Sequence, residues 1–508
     1  MAICSVEHGS SMLIRYREIS SELGMSTRKT RVRFRFDRGS KSLRNLLNNI
    51  VRLAAGDLAA KAMSFFAFVY LARILGVASF GVLEFAGSVL AYLLLLADGG
   101  LEMWATREAA NTTDLPALAL RVLPLRLLLA SGSFVFLMLL LPTFPRYPHL
   151  RAVLLLYGLT VFAQAINLKW AFMGCQNMTL VARGLVIGQA LFAVTVVAFI
   201  HSSAGLVWVP ILRLAGDLAT AFYFARWFGR LQGRFLGKMT VRGMSTIFKP
   251  ALMIGLSLAM GLLNYNFDAV LLGFLRGPTF VGWYNAAYKL ILVGVSVAIT
   301  YFAGLFPALA RLYVENLAEF RIVVRRTMEL WLVFVVPFVV GGTFLAGPLF
   351  RFLFGIAYEN SVMPFRILVW SAAFVVLRWA YMDSLRATGH QALDLRCAIT
   401  SASLNVGLNV LLIPHFGMVG AASATTLADI VWFGMAYYYF RRVVLPGERL
   451  PSLRGPLVGG TAMALVLWLG KALNLPTRVG LGLIVYLSVQ VFLGRLNLRI
   501  FQQETLQK

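Results

Sequence analysis

The chain has 508 residues, of which 59% are hydrophobic and 13% are charged, and its mean hydropathy is +0.77. A soluble domain of this length needs more polar side chains to cover its core, so the composition argues against a soluble protein. The formal net charge is +26. Neither a clustered basic face nor a binding motif accompanies that charge, which argues against a nucleic-acid-binding protein.

Fourteen apolar stretches follow one another along the chain. About 20 apolar residues cross the hydrocarbon core as a helix, and lipid satisfies backbone polar groups only inside helices or closed barrels. The sequence therefore predicts an all-α polytopic membrane protein with about 14 transmembrane helices. The predicted spans are 50–72, 79–97, 118–141, 152–172, 181–200, 206–225, 248–270, 279–306, 328–348, 362–383, 394–413, 417–440, 455–470 and 479–497.

Basic residues gather in every second gap between the spans. The even-numbered gaps with their bordering helix ends hold 19 Lys and Arg, against 7 in the odd-numbered gaps. Because cytoplasmic loops carry this excess, we expect a protein of the cytoplasmic (inner) membrane with both termini in the cytoplasm. Residues 1–48 are basic and lack the apolar run of a signal peptide, so they are predicted to be a disordered cytoplasmic arm.

Similar segments recur in the two halves of the chain. Phe80-Gly81 begins the second predicted span, and Phe280-Val281-Gly282 begins the eighth, each after a long span and a short Gly-containing turn. Internal repeats of this kind are typical of transporters. We therefore predict an N-terminal six-helix bundle at 49–243, a C-terminal six-helix bundle at 244–443, and two additional helices with a short tail at 444–508.

Motifs of catalytic sites are missing from the sequence. It contains no His-Glu-x-x-His segment, no Gly-x-Ser-x-Gly segment and no phosphate-binding Gly-rich loop. The 3 cysteines form no zinc or disulfide pattern. We expect no metal and no cofactor. The odd-numbered gaps are also too short to form the active site of a membrane glycosyltransferase or polymerase, which argues against an enzyme.

Several motifs, taken in order, resemble one known family. They are Tyr70 to Gly76, Phe80-Gly81, Ala97 to Leu101, Ala105 to Glu108, Asn266 to Asp268, Val281 to Leu290, Leu404-Asn405 and Leu412 to Ala422. Together they are similar to the polysaccharide-biosynthesis flippases, the lipid-linked oligosaccharide translocases of the multidrug/oligosaccharidyl-lipid/polysaccharide exporter superfamily. One departure is Asp98-Gly99-Gly100, where the family has Asp-Leu-Gly, so a special role for that turn is less secure.

The resemblance implies two bundles around a central cavity that opens alternately to each side of the membrane. It also implies a substrate, a polyprenyl-diphosphate-linked oligosaccharide, whose sugar head crosses through the cavity while its lipid tail stays in the bilayer. Membrane lipids, and a polysaccharide polymerase or glycosyltransferase, are the expected partners. A cation-coupled multidrug exporter of the same superfamily is the main alternative, and a membrane polymerase or glycosyltransferase is a weaker one.

Basic residues inside the predicted spans are candidate functional residues, because a charge in the membrane is costly unless it faces water or a partner. Near span ends the side chain can instead snorkel to the lipid headgroups. That explanation covers Arg52, Arg126, Lys169 and Arg366. The remaining candidates for substrate binding are Lys61, Arg213, Lys289 and Arg378.

Two of these cations have a carboxylate four residues away on the same helix, Lys61 with Asp57 and Arg213 with Asp217. Such pairs could neutralise themselves inside a bundle, or they could line the cavity. In the cavity, Arg and Lys would bind the diphosphate. A carboxylate such as Asp57, Asp217 or Asp268 would exchange a proton or a sodium ion and so drive the cycle.

Amide and aromatic side chains in the spans have two interpretations each. Amides are costly in hydrocarbon, so they either bind sugar hydroxyls or hydrogen-bond between helices. The amides are Asn264, Asn266, Asn405 and Asn409, and Asn264 and Asn405 are our substrate-binding candidates. Trp283, Tyr284 and Tyr288 could stack on sugar rings, but an interfacial aromatic belt is the favoured interpretation.

Overall fold

The computed structural model describes residues 40–112, 114–232 and 244–493. Within these ranges the chain is helical and contains no β-strand, which confirms the all-α prediction. The predicted cytoplasmic arm up to residue 39, the end of the predicted N-terminal domain at 233–243 and the C-terminal tail at 494–508 lie outside the described residues.

The described chain forms fifteen α-helices joined by short turns and brief 3₁₀ or π segments. They are α1 (Ser40–Asp98), α2 (Leu101–Ala109), α3 (Leu115–Leu140), α4 (Leu150–Gly158), α5 (Thr160–Ala165), α6 (Lys169–Gly174), α7 (Met178–Phe199), α8 (Trp208–Gln232), α9 (Met244–Leu275), α10 (Pro278–Glu315), α11 (Leu317–Leu353), α12 (Val362–Ala387), α13 (Gln391–Tyr439), α14 (Arg454–Leu469) and α15 (Leu475–Phe492).

The long helix α1 is a hairpin that folds back at Gly76. This residue has φ 72° and ψ 166°, a conformation that glycine adopts without steric cost. In a straight helix, residues 68 and 80 would lie about 18 Å apart along the axis. The ring centroids of Phe68 and Phe80 are instead 4.9 Å apart. The two arms of α1 therefore cross the membrane separately, as the first two predicted spans require.

Helix α13 folds back in the same way at Gly417, where φ is 54° and ψ is −130°. Asn405 and Thr425, twenty residues apart, are joined by a 3.4 Å hydrogen bond across the hairpin. Eleven described helical segments are long and apolar enough to span a membrane, and Leu150–Ala165 is a shorter apolar one. Each of the two hairpins contributes two crossings, so with Leu150–Ala165 the described chain has about fourteen crossings, in agreement with the predicted number.

Some helix ends differ from the prediction. The fourth predicted span, 152–172, is broken before α6, where the Asn167 Oδ1 atom accepts a hydrogen bond from the Lys169 backbone N–H (2.9 Å) at the start of a new short helix. Helices α10 and α11 extend well beyond the predicted 279–306 and 328–348, meeting near Asn316. Charged side chains on these extensions ended the apolar windows before the helices end.

Small residues allow close helix packing, as expected in a membrane, where packing rather than the hydrophobic effect drives association. A Cβ atom on Gly188 of α7 would lie 2.0 Å from the Thr220 hydroxyl of α8. Helices α14 and α15 pack on α11, where the Tyr486 hydroxyl donates to the Val333 carbonyl (2.8 Å). We call residues 55–232 the N-terminal half and residues 244–444 the C-terminal half; the predicted domain boundaries remain predictions.

The two halves touch where the similar sequence segments place equivalent glycines. A Cβ atom on Gly81, in the second arm of α1, would lie 1.8 Å from the Pro278 carbonyl oxygen. A Cβ atom on Gly282, in α10, would lie 2.5 Å from the Val77 carbonyl oxygen and 3.3 Å from Gly81. The beginnings of the two similar sequence segments therefore contact one another directly.

This contact predicts that a methyl group added at Gly81 lowers the stability of the protein. We expect Gly81→Ala to destabilise the protein by about 1–3 kcal/mol, because the new Cβ atom meets backbone that cannot move aside cheaply. The measurement is the thermal unfolding temperature of the purified protein in detergent. Gly132→Ala in α3 is the matched control, since nothing lies within 4 Å of its Cβ position. Equal unfolding temperatures for the two variants would contradict the contact.

Candidate functional site

Two adjoining cavities lie between the halves, at the level of the second arm of α1. One, of about 210 Å³, is bounded by both arms of α1 and by α4, α5, α7, α8 and α10. The other, of about 380 Å³, is bounded by the second arm of α1 and by α4, α9 and α10. We call them the N-side and C-side cavities. Both are lined by Leu83, Glu84, Gly87, Tyr157 and Lys289.

Lys289 stands at the junction of the two cavities and reaches from one half to the other. Its Nζ atom lies 2.8 Å from the Glu84 carboxylate, and it also lies 4.4 Å from the centre of the Phe68 ring. Asn285, one turn before Lys289 on α10, donates a 3.2 Å hydrogen bond to the same carboxylate. The Lys289 side chain is 42% exposed and that of Glu84 is 9% exposed. Both partners therefore line the cavities, and the cation is the more exposed of the two.

Arg213 and Asp217 line the wall of the N-side cavity on α8. The Arg213 Nε atom lies 3.3 Å from the Asp217 carboxylate, and its Nη1 atom donates to the Gln189 side-chain oxygen (3.3 Å). The sequence predicted this pair on one helix face, and the structure brings it to the cavity together with Lys289. The described cavity wall thus holds two cations and two carboxylates, and each cation is paired.

Lys61 and Asp57 form a 2.6 Å ion pair on the first arm of α1, with both side chains more than a third exposed. Neither residue is among those that line the two cavities. Ser64 and Phe68, further along the same helix, do line the N-side cavity. Residues 57, 61, 64 and 68 share one helix face by their spacing. The Lys61 pair therefore extends the cavity face toward the start of α1.

Arg378 lies away from the cavities, inside the C-terminal half. Its side chain is 2% exposed, and its guanidinium pairs with the Asp429 carboxylate. The guanidinium also lies over the Trp432 ring. It also donates to the Tyr265 hydroxyl, and Tyr265 lines the C-side cavity. A partnered, dry position of this kind holds helices together. A substrate-binding role for Arg378 stays a prediction.

Asp268 is the centre of a buried polar cluster in the C-terminal half. Its carboxylate accepts hydrogen bonds from the Tyr284 hydroxyl and the Thr425 hydroxyl. Thr425 accepts from Asn405, whose side-chain oxygen in turn accepts from Asn409 (2.8 Å). Asp268 differs from the other carboxylates inside the described spans because no basic group lies within 4 Å of it. This cluster lies on α9, α10 and the two arms of α13.

Asn264 lies one turn before Asp268 on α9 and is also buried. Its side-chain oxygen faces the Ser401 hydroxyl of α13 at 3.5 Å. Asn264 and Asn405 therefore hydrogen-bond between helices, one of the two interpretations that the sequence left open. Asn266, in contrast, lines the C-side cavity. Sugar binding by Asn264 and Asn405 stays a prediction.

Two interpretations from the sequence are wrong. Arg126 does not snorkel, because it is 3% exposed and its guanidinium lies 3.2 Å from Asp98 and 2.9 Å from the Asn167 carbonyl oxygen. The aromatic belt also fails for two residues: Tyr284 is fully buried against Asp268, and Tyr288 lines the C-side cavity. Arg52 lies outside the residues whose side chains the structure describes.

The site residue that the sequence analysis missed is Glu84. The search concentrated on basic residues and on three aspartates, whereas Glu84 is an acidic residue in the middle of the second predicted span. A carboxylate at that depth is as costly as a cation and is by default a functional candidate. Its position alone could therefore have identified it, although its partner on α10 could not be read from the chain.

Contacts between the halves also cluster on the face that carries the Gly76 turn, which we call the Gly76 face. The Arg73 guanidinium there donates to the Phe352 and Leu353 carbonyl oxygens at the end of α11. The Tyr358 hydroxyl donates to the Ala72 carbonyl oxygen (2.9 Å). Aromatic rings of Phe68, Phe80, Phe354 and Tyr358 pack edge to face or tilted around these bonds.

Two curated relatives of the chain are named as transport proteins. It is 28% identical over 207 residues to the probable flippase AglR of Haloferax volcanii, a match that covers 40% of this chain and 43% of that protein. It is 21% identical over 349 residues to the putative O-antigen transporter of Escherichia coli K12, covering 64% of this chain and 79% of that protein. The chain thus spans less than half of the first relative's length.

Solved structures with the same fold include two kinds of membrane transporter. The lipid II flippase MurJ in an inward closed conformation matches with a TM-score of 0.74 at 13% identity, covering 87% of this chain and 98% of that one. An inward-facing multidrug resistance MATE family transporter matches with a TM-score of 0.61 at 16% identity, covering 79% of this chain and 100% of that one. These likenesses confirm the predicted helical transporter fold.

A family profile described as polysaccharide biosynthesis protein matches residues 46–313. This segment covers just over half of the chain and contains both arms of α1, the cavity walls on α4 to α8, and Lys289. The matched region also includes most of the motifs that carried the resemblance. The chain therefore belongs to the polysaccharide biosynthesis protein family.

Proposed function

We propose that the protein is a flippase that moves a polyprenyl-diphosphate-linked oligosaccharide across the cytoplasmic membrane by alternating access. The observation that carries this proposal is the pair of polar cavities between the halves, which Lys289 lines on both sides and Arg213 lines on one. Family membership and the flippase and O-antigen transporter names of the relatives support it.

The orientation follows from the distribution of basic residues. With fourteen crossings, both ends of the described chain would lie on the face opposite Gly76, together with the predicted Lys- and Arg-rich gaps. The positive-inside rule makes it the cytoplasmic face. The contacts of Arg73 and Tyr358 then close the extracellular side, so the cavities receive substrate from the cytoplasm, where lipid-linked sugars are assembled. A glycosyltransferase upstream and a polymerase downstream would be the functional partners.

The cavity chemistry suits a lipid diphosphate. The planar guanidinium of Arg213 can donate two parallel hydrogen bonds to a phosphate, and the Lys289 ammonium supplies a point charge. Thr160, Gln164 and Asn266 offer hydroxyl and amide groups to a sugar. The lipid tail requires no polar cavity because it can remain in the bilayer.

Asp268 is the strongest candidate for ion coupling among Asp57, Asp217 and Asp268. The other two carboxylates are ion-paired with Lys61 and Arg213. Asp268 accepts from the Tyr284 and Thr425 hydroxyls, and Asn405 and Asn409 continue this hydrogen-bonded chain. The buried Asn409 Oδ1 atom at its end has no hydrogen-bond partner. Oxygen atoms without a neighbouring cation suit a bound proton or a small hard cation.

One observation favours the alternative function, a multidrug exporter. The cavity holds two carboxylates, Glu84 and Asp217, beside its two cations, and such groups attract organic cations. The two functions differ in the charge of the substrate. Export of ethidium by cells that carry the protein, without complementation of a flippase-deficient strain, would select the exporter.

The flippase proposal predicts that the cationic side chains are required for export. We expect Arg213→Ala, Lys289→Ala and Lys61→Ala each to lower polysaccharide export in a flippase-deficient strain by at least about tenfold, the effect of losing roughly 1.4 kcal/mol of binding. Arg311→Ala is the control, because Arg311 forms an exposed pair with Glu315 near the end of α10. Immunoblots of membranes check protein level. Full complementation by all three variants would refute the cationic cavity.

The coupling proposal predicts that Asp268→Asn abolishes the dependence of flipping on an imposed proton or sodium gradient. The amide keeps the shape of the side chain but cannot exchange a proton or balance a cation. Flipping of a fluorescent lipid-linked saccharide in proteoliposomes measures this dependence. Asp57→Asn is the matched control and should retain it. A gradient response in Asp268→Asn equal to that of the wild type would contradict the assignment.

A further inference from the structure

The ion pair between Glu84 and Lys289, which we call the latch, joins the two halves inside the cavities. We propose that an anionic lipid headgroup opens the latch by replacing the Glu84 carboxylate as the partner of Lys289, so that substrate binding itself loosens the halves. Glu84 is then a positioning residue that makes the carrier respond to the charge of its substrate. This inference rests on the proposed function.

The latch lies one turn from the close contact between Gly81 and Gly282. Glu84 and Asn285 each follow one of these glycines by three residues. The Asn285 side chain donates to Glu84 across the same interface, at a separation of 201 residues, equal to that between the two glycines. The similar segments of α1 and α10 therefore contact one another twice. The ion pair between Glu84 and Lys289 adds an ionic bond to this contact between the halves.

The two partners of the latch differ in exposure, and displacement requires that the cation be the more exposed one. Both side chains line the two cavities, but Lys289 is 42% exposed and Glu84 is 9% exposed. A ligand that enters either cavity therefore has more access to the ammonium than to the carboxylate. Gly87, one turn beyond Glu84, lines both cavities and has nothing within 4 Å of its Cβ position, which leaves room beside the latch.

The chemistry of displacement selects for charge. A diphosphate carries more negative charge than a carboxylate and offers more acceptor oxygens, so it can take the Lys289 ammonium from Glu84. A neutral sugar or alcohol cannot. After displacement, the Glu84 carboxylate keeps the Asn285 amide as a donor, and the strong ionic link between the halves is lost.

The second ion pair of the cavity provides a comparison within the protein. Arg213 and Asp217 lie on the same helix, α8, so a ligand that separates them breaks no link between the halves. Removing either Glu84 or Asp217 frees one cavity cation for a diphosphate. Removing Glu84 alone also cuts the bridge from α1 to α10.

The test compares Glu84→Gln with Asp217→Asn in nanodiscs, using farnesyl diphosphate as the anionic probe and farnesol as the neutral one. We expect Glu84→Gln to bind farnesyl diphosphate about tenfold more tightly than the wild type, because the competing carboxylate is gone. Hydrogen exchange in the second arm of α1 and in α10 should rise in Glu84→Gln without ligand, and in the wild type with farnesyl diphosphate. Farnesol and Asp217→Asn should not raise it.

A charge swap guards against a misfolded variant. The double variant Glu84→Lys, Lys289→Glu restores an ion pair between the halves and should return exchange to the wild-type level. The latch is refuted if Glu84→Gln neither tightens binding nor raises exchange. If instead no variant binds farnesyl diphosphate while Glu84→Gln still raises exchange, the bridge between the halves stands and the proposed anionic substrate fails.

Discussion

The fold depends on one constraint: a charged side chain inside a membrane must have a partner or face water. Each basic residue that the structure describes deep in the spans satisfies it in one of two ways. Arg126 and Arg378 are buried with a carboxylate, and their pairs hold helices together. Arg213 and Lys289 are also paired, but they remain partly exposed to cavities between the halves. Exposure, rather than charge alone, separates candidate binding groups from structural ones.

Pairing in the cavity changes how a cationic site works. An empty cavity with two unpartnered cations would be costly in a low-dielectric setting, so the carboxylates of Glu84 and Asp217 stabilise the empty carrier. An anionic substrate then competes with a group of the protein itself. The strength of that competition sets how selectively the carrier responds to charge, and the latch links this response to the contact between the halves.

The sequence predicted features that depend on local chemistry. Apolar length located the membrane-spanning segments, and the Gly-containing turn expected before Phe80 is the tight reversal at Gly76. The reversal at Gly417 falls on the first residue of the predicted span 417–440. The spacing of Arg213 and Asp217 predicted their pair. The break before α6 was missed because hydropathy does not mark it; the Asn167 side chain bonds to the Lys169 backbone there.

Features that depend on distant partners were harder to predict. The contact of Glu84 with Lys289 joins residues 205 positions apart, and no local pattern marks it. The burial of Arg126 depends on Asp98, at the end of another helix. Tyr284 is of a residue type that is common at membrane interfaces, yet its hydroxyl donates a hydrogen bond to the buried Asp268 carboxylate. In each case the sequence indicated where in its span the residue lies, but it did not indicate which distant residue the side chain contacts.

The central claim is that a water-filled polar cavity lies between the halves of a membrane-embedded protein. Its most direct test is labelling of single cysteines with a charged maleimide, in a background without the native cysteines. Ser64→Cys lines the N-side cavity, whereas Phe222→Cys is a highly exposed position on the apolar surface of α8. The account predicts that Ser64→Cys reacts and Phe222→Cys does not, because lipid excludes the reagent. Equal reactivity of the two, or labelling of Phe222→Cys alone, would contradict it.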